Sequence, residues 1–147
     1  MKSPMYEIKR RLYALLTNAV TIDATPVPVR SFAATDVDRY IWIAAVRGSE
    51  DWTKDEFGGD WFFDINCIDR VGIGAEDMTN VHDMAEQVGN TLQPTPDDKL
   101  TLANGFTDHR LQLVNERDLS SITEDGMEFR IVMEYRVMLS QPTAPLS

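Results

Sequence analysis

From Met127 to Leu139 every second residue is apolar. Met127, Phe129, Ile131, Met133, Tyr135, Val137 and Leu139 are apolar, and Glu128, Arg130, Val132, Glu134, Arg136 and Met138 stand between them. Helical winding would scatter those apolar groups around a cylinder, whereas an extended strand puts all of them on one face. Buried at roughly 1.5–3 kcal/mol per side chain, that face supplies on the order of 10–20 kcal/mol, an upper bound because the unfolded chain is itself compact. The fold must therefore be organised around a long strand with one covered side.

Two segments read as helices. In residues 3–20, Met5, Ile8, Leu12, Leu15, Leu16 and Ala19 recur at three- and four-residue steps. Ser3 is placed to cap the first turn and Pro4 to occupy its first position, where a missing N–H costs nothing. In residues 75–92, Met78, Val81, Ala85, Val88 and Leu92 form the second stripe. Strands are expected at 27–32, 40–46, 61–71, 110–118 and 127–139. Pro28 cannot donate to a ladder and assigns the first of these to a sheet edge. The order is α-β-β-β-α-β-β, an α+β fold with about five mainly antiparallel strands and two helices on one face. Residues 1–140 make one domain and 141–147 a proline-containing tail, as expected for 147 residues. Residues 47–60, RGSEDWTKDEFGGD, exceed any ordinary hairpin connection. They form either a loose loop or the tip of an extended, projecting hairpin.

Composition narrows the function. Fourteen basic against 24 acidic residues leave a formal charge of −10 with no compensating basic stripe, which disfavours groove-type nucleic-acid binding and docking on anionic lipid. One cysteine, Cys67, excludes an intramolecular disulfide framework and a multi-cysteine zinc site. No apolar run is long enough for a signal peptide or a membrane span, so a soluble cytoplasmic chain is expected.

No catalytic or metal constellation is assembled by the sequence. Arg70-Val-Gly-Ile-Gly-Ala-Glu-Asp77 sits between a strand and a helix, where a dinucleotide fingerprint would lie. The fingerprint needs Gly or Ala where Asp77 stands, and a carboxylate there would repel pyrophosphate. Gly72 and Gly74 then simply supply a turn, with Glu76 and Asp77 favouring the positive end of the helix. His82 and His109 lack partners at a metal-binding spacing, and Cys67 falls on the apolar face of its strand with Ile65. The acidic pairs Asp36/Asp38, Glu50/Asp51, Asp55/Glu56 and Asp97/Asp98 read as solvated loop charges. Trp52 and Phe57, set among charges, are either tucked under the 47–60 segment or offered to a partner.

Taken in order, Tyr6-Glu-Ile-Lys-Arg-Arg-Leu-Tyr-Ala-Leu-Leu16, Arg39-Tyr-Ile-Trp-Ile43, Phe63-Asp-Ile-Asn-Cys-Ile68, the helix opening Ala75-Glu-Asp-Met-Thr-Asn-Val-His-Asp-Met-Ala and the closing strand 129–139 resemble the tail-terminator or tail-completion (minor tail) proteins of long-tailed bacteriophages. The resemblance spans about residues 5–140. The chain departs from it in lacking a proline before Tyr40 and in its long 47–60 segment. It implies a non-enzymatic virion protein with no cofactor, assembled in the host cytoplasm. Such a protein forms a homo-oligomeric ring, usually hexameric, at the head-proximal end of the tail. The ring stops polymerisation of the major tail tube protein and presents a joint to the head–tail connector. Closed rotational symmetry would cover exposed sheet edges through head-to-tail contacts. Six copies carry a formal charge of roughly −60, which lets DNA pass without specific binding. On this reading Glu50, Asp51, Trp52, Lys54, Asp55 and Phe57 lie at a hairpin tip that meets the tube or connector. The competing expectations are a head–tail connector or neck protein of the same particle, a bacterial adaptor, or a small nucleotide- or ligand-binding enzyme built on the Gly72–Gly74 turn.

Overall fold

The computed structural model describes residues 4–52, 56–74, 77–95, 99–102 and 106–142. Ser3 of the expected cap lies outside them. The chain runs α1 (Pro4–Leu16), β1 (Thr21–Ile22), β2 (Thr25–Pro26), β3 (Val29–Arg30), β4 (Arg39–Trp52), β5 (Glu56–Gly72), α2 (Thr79–Leu92), β6 (Thr107–Asp118), β7 (Ser121–Thr123) and β8 (Gly126–Pro142). The main sheet has the order β3-β4-β5-β8-β6, with β7 also on β8. Every pairing in it is antiparallel except β3 with β4. This is the α+β arrangement expected, enlarged by three short strands: β1, β2 and β7.

Both helices pack on one face of the sheet. Ile8, Leu12 and Leu16 of α1 and Val81, Met84, Val88 and Leu92 of α2 close over Ile41, Ile43, Phe63, Ile65, Cys67 and the apolar row of β8. Phe129, Ile131, Met133, Tyr135, Val137 and Leu139 are all buried, and Met127 is half-buried at the rim. The Phe63 and Tyr135 rings stack at the centre, 5.3 Å apart.

Several boundaries move for local reasons. The first helix stops at Leu16, not at residue 20, because Asn18 takes the left-handed conformation that ends helices, at φ 62°. Ala19 is therefore outside the helix and exposed. The second helix starts at Thr79, where Asp77 Oδ1 accepts hydrogen bonds from the Thr79 amide at 2.9 Å and hydroxyl at 2.6 Å. Those two bonds hold the Asp77 carboxyl below its usual range. Met78 is consequently exposed, and Met84 fills the stripe in its place. The expected strand 27–32 contracts to Val29–Arg30, at the edge as Pro28 requires, with Pro28 O accepting from the Ile41 amide at 2.8 Å. Leu100 is buried beside α1, its carbonyl accepting from Arg11 Nε at 2.8 Å.

Candidate functional site

The long polar segment between the second and third expected strands is mostly strand. β4 and β5 stay paired through Arg47↔Phe62, Gly48↔Trp61, Ser49↔Asp60, Glu50↔Gly59, Asp51↔Gly58 and Trp52↔Phe57. On its other side β5 stays paired with β8 out to Glu56↔Pro142. Strands of 17 residues extend about 55 Å, whereas helices of 13 and 14 residues cover about 20 Å. The sheet therefore outruns its helical layer. Past Val46, Trp61 and Leu139, the last described members of the buried cluster on these strands, the three strands continue as an arm. Of the residues expected at a hairpin tip, Glu50, Asp51, Trp52 and Phe57 lie on the paired backbone of this arm. Lys54 and Asp55 lie outside the described residues.

Two features set the root of the arm. Between Ala44↔Asp64 and Arg47↔Phe62 the β4 strand holds one extra residue, and Ala45 takes φ 53°. This β-bulge bends the strand and restarts its alternation, so Val46 rather than Ala45 is buried. Two residues on, the Trp61 indole lies against Gly48, where a Cβ would stand 2.3 Å from the ring. A larger residue there would have to displace the Trp61 ring.

The sheet face away from the helices carries an ionic and aromatic ladder. Arg70 binds Glu128 (3.0 Å), the carbonyls of Ala34 (2.7 Å) and Val37 (3.3 Å) and Tyr40 Oη (3.2 Å). Partial burial works against its charge, but bonds to Glu128 and Tyr40 outweigh that and raise its pKa. Arg130 stacks over Trp42 and donates to Asn66 Oδ1 at 2.9 Å. Arg47 stacks over Phe62 and pairs with Asp64 at 3.5 Å and with Glu134. Arg136 pairs with Asp60 at 2.6 Å. Each rung joins side chains brought level by strand register, which is why no spacing in the sequence announces it. On the helix side, Asp69 is buried and meets Arg39 Nε at 3.1 Å.

Among the described residues Gly74 takes φ 87° and α2 begins five residues after it, so the helix does not open directly from the Gly72–Gly74 turn as a phosphate-binding loop requires. A cleft of about 400 Å³ beside it is lined by Asp38, Arg70, Val71, Gly72, Thr123 and Asp125. Arg70, its cation, is already bound as described, and two carboxylates stand on the wall. Among the described residues no group of three His, Cys, Asp or Glu side chains is placed to hold a metal ion. His82 is exposed on α2. Cys67 is buried in the core, and burial, with the Glu116 charge adding to it, pushes its thiol up to about 12. The packed-thiol reading of Cys67 therefore stands.

One apolar feature had no periodic signal. Along β6 and its exit, Leu113, Val114 and Leu119 are exposed, and Ile122 of β7 more so.

The architecture is thus a helix-backed, mainly antiparallel sheet, longer than its helices and, among the described residues, unpaired along most of its two margins. No family model matches the chain, and no curated protein matches it. Its fold is shared with a chain in a solved structure described as the virion of a native gene transfer agent particle, with a TM-score of 0.60 at 17% identity. The match covers 92% of this chain and 93% of that one. At that identity the finding concerns fold.

Proposed function

We propose that this chain is a structural subunit of a phage or phage-derived virion and, within it, a tail terminator. Copies form a ring on the head-proximal end of the tail tube, stop its polymerisation and offer a seat to the head–tail connector. The observation that carries this reading is the end-to-end fold match with a virion chain, nearly complete in both proteins. It agrees with the ordered resemblance of residues 5–140 to tail-completion proteins and with an arm of paired strands that reaches past the core. The acidic composition suits a ring through which DNA passes without sticking. No bond is made or broken in this role. The subunit works by fixing the geometry of a joint.

Electron microscopy of the purified protein, alone and mixed with tail tubes, tests the assignment. Rings at one end of each tube, with tube growth halted, are expected. Protein found only in the neck, beyond the tube rim, would make it a connector component instead, and tubes that elongate normally in its presence would refute the terminator role.

A further inference from the structure

The β6 margin is treated unevenly along its length. Gln93 Nε2 donates to Leu111 O at 2.8 Å, so that carbonyl points away from β8 and is already satisfied. Alternation turns the backbone groups of Leu113 outward as well. A bulge between Leu113 and Asn115 resets the count. The Leu119 amide then donates to Arg130 O at 2.9 Å, which fixes the even-numbered residues of β8 as those that face β6. Asn115 and Arg117, opposite Glu134 and Val132, therefore bond inward, and Glu116 and Asp118 present their N–H and C=O groups outward. Beside this open stretch stand Leu113, Val114 and Leu119, 39%, 40% and 45% exposed. Among the described residues the cover ends at Leu111, and the stretch beyond it carries the bulge and the charges of Glu116, Arg117 and Asp118.

The opposite margin of the same sheet is also largely unpaired among the described residues. β3 covers β4 only at Ile41 and Trp42. The Ile41 amide points to Pro28 O, away from β5, and counting on through the bulge turns Gly48, Glu50 and Trp52 the same way. Among the described residues no strand pairs with this side of β4 beyond Trp42, or with the outer side of β6.

We infer that the outer edge of β6 over residues 113–118 receives the outer edge of β4 over residues 46–52 from a second copy of this chain, continuing one sheet from protomer to protomer. Both halves of the contact occur in one chain and are nearly equal in length, so a second copy is the occupant that leaves neither edge open. The edges are different surfaces on opposite sides of the sheet, which makes the contact heterologous and able to close a ring. Gln93 supplies a stop, because a strand entering along β6 runs out of free acceptors at Leu111. The inference rests on the assembly reading above for the ring, while the edge pairing is measurable without any tube.

Two substitutions remove an outward N–H, together with one carboxylate each, and leave the N–H groups that face the neighbouring strand in place: Glu116→Pro in β6 and Glu50→Pro in β4. Val114→Lys is a second way to spoil the β6 edge without touching a backbone bond to β8. Circular dichroism and a cooperative melt verify folding, and sedimentation reads assembly. Each proline variant is expected to self-associate at least about tenfold more weakly than the parent chain, because backbone pairing at the edge is lost. An equimolar mixture of the two is expected to form a discrete dimer, since one keeps its β4 edge and the other its β6 edge. Assembly of either variant like the parent, dimers of Glu50→Pro alone, a parent that is monomeric with and without tubes, or a mixture that stays monomeric would each overturn the pairing. If the variants assemble normally and the parent still caps tubes, the edge pairing fails and the terminator reading stands. If mixed dimers form but the parent never caps a tube, the pairing stands and the terminator reading fails.

Discussion

Removing residues 50–57 tests whether the arm is an addition to a self-sufficient domain. The deletion joins Ser49 to Gly58. Ser49 lies opposite Asp60, so Gly58 and Gly59 become a two-residue turn between paired residues, the connection that tolerates positive φ at both positions. The pairs lost are Glu50↔Gly59, Asp51↔Gly58 and Trp52↔Phe57 with β4, and Glu56↔Pro142 and Phe57↔Gln141 with β8. At about 0.2–1 kcal/mol per cross-strand pair the loss is about 1–5 kcal/mol. Conformational entropy acts the other way, so about 5 kcal/mol is the most the deletion costs. For a chain of this length each kcal/mol lowers Tm by about 3 °C, so a drop of at most about 15 °C is expected with the cooperative transition retained. In tube-capping assays by electron microscopy the same variant should fail. Loss of the cooperative melt would refute the claim that the essential core stops at Val46, Trp61 and Leu139. Capping at the parent level would refute the role given to the tip.

Other substitutions probe the frame. Gly126→Ala would place a Cβ 1.9 Å from Val71 O and 2.8 Å from Gly72 C, backbone atoms that cannot yield singly. A loss of about 2–4 kcal/mol in chemical denaturation is expected, and less than about 0.5 kcal/mol would show the turn to be looser than described. Gly89→Ala should do the opposite, adding about 0.5–1 kcal/mol, because its Cβ would meet only Met133 Cε at 3.8 Å and Tyr135 Oη at 4.0 Å inside a helix. Cys67 should resist a thiol reagent at about pH 8 until the protein unfolds. Its thiol is raised from 9.0 to about 12 by burial, so the folded state holds the proton more tightly. That share of stability is complete below pH 9 and is lost as pH rises toward 12, with the Tyr135 hydroxyl shifted in the same direction by burial. A Cys67→Ala variant should therefore show a shallower alkaline decline in Tm, and an unchanged slope would contradict the assignment.

What the sequence disclosed and what it hid divide along physical lines. The row from Phe129 to Leu139, the stripe Ile8, Leu12 and Leu16, and the inward Cys67 were legible because each depends on local periodicity. Ala45 hid the parity of β4, since an extra residue in a bulge carries no compositional mark and turns Val46 inward against simple alternation. The β1–β2 hairpin was invisible for a similar reason: its turn residues Asp23 and Ala24 have φ 51° and 64°, and alanine does not advertise that conformation. The arm looked like loop because Gly48, Gly58 and Gly59 and the acids around them are common in loops, while its third strand lies about eighty residues away in sequence. The ladder of Arg47, Arg70, Arg130 and Arg136 required register between strands remote in the chain. For the 47–60 segment the sequence left the form open between loop and hairpin. The paired backbone decides for hairpin at Glu50, Asp51, Trp52 and Phe57.

The extra residue at Ala45 has a geometric corollary. Ala44 and Arg47 keep their partners on β5 with one surplus position between them, so excising Ala45 would restore an uninterrupted ladder while leaving Val46 inward and Arg47 outward. Everything that packs below the hinge would survive, and only the local twist would relax. The bearing of the arm can thus be retuned by one codon independently of the body that carries it, an adjustment screw for meeting neighbours whose diameter or pitch changes.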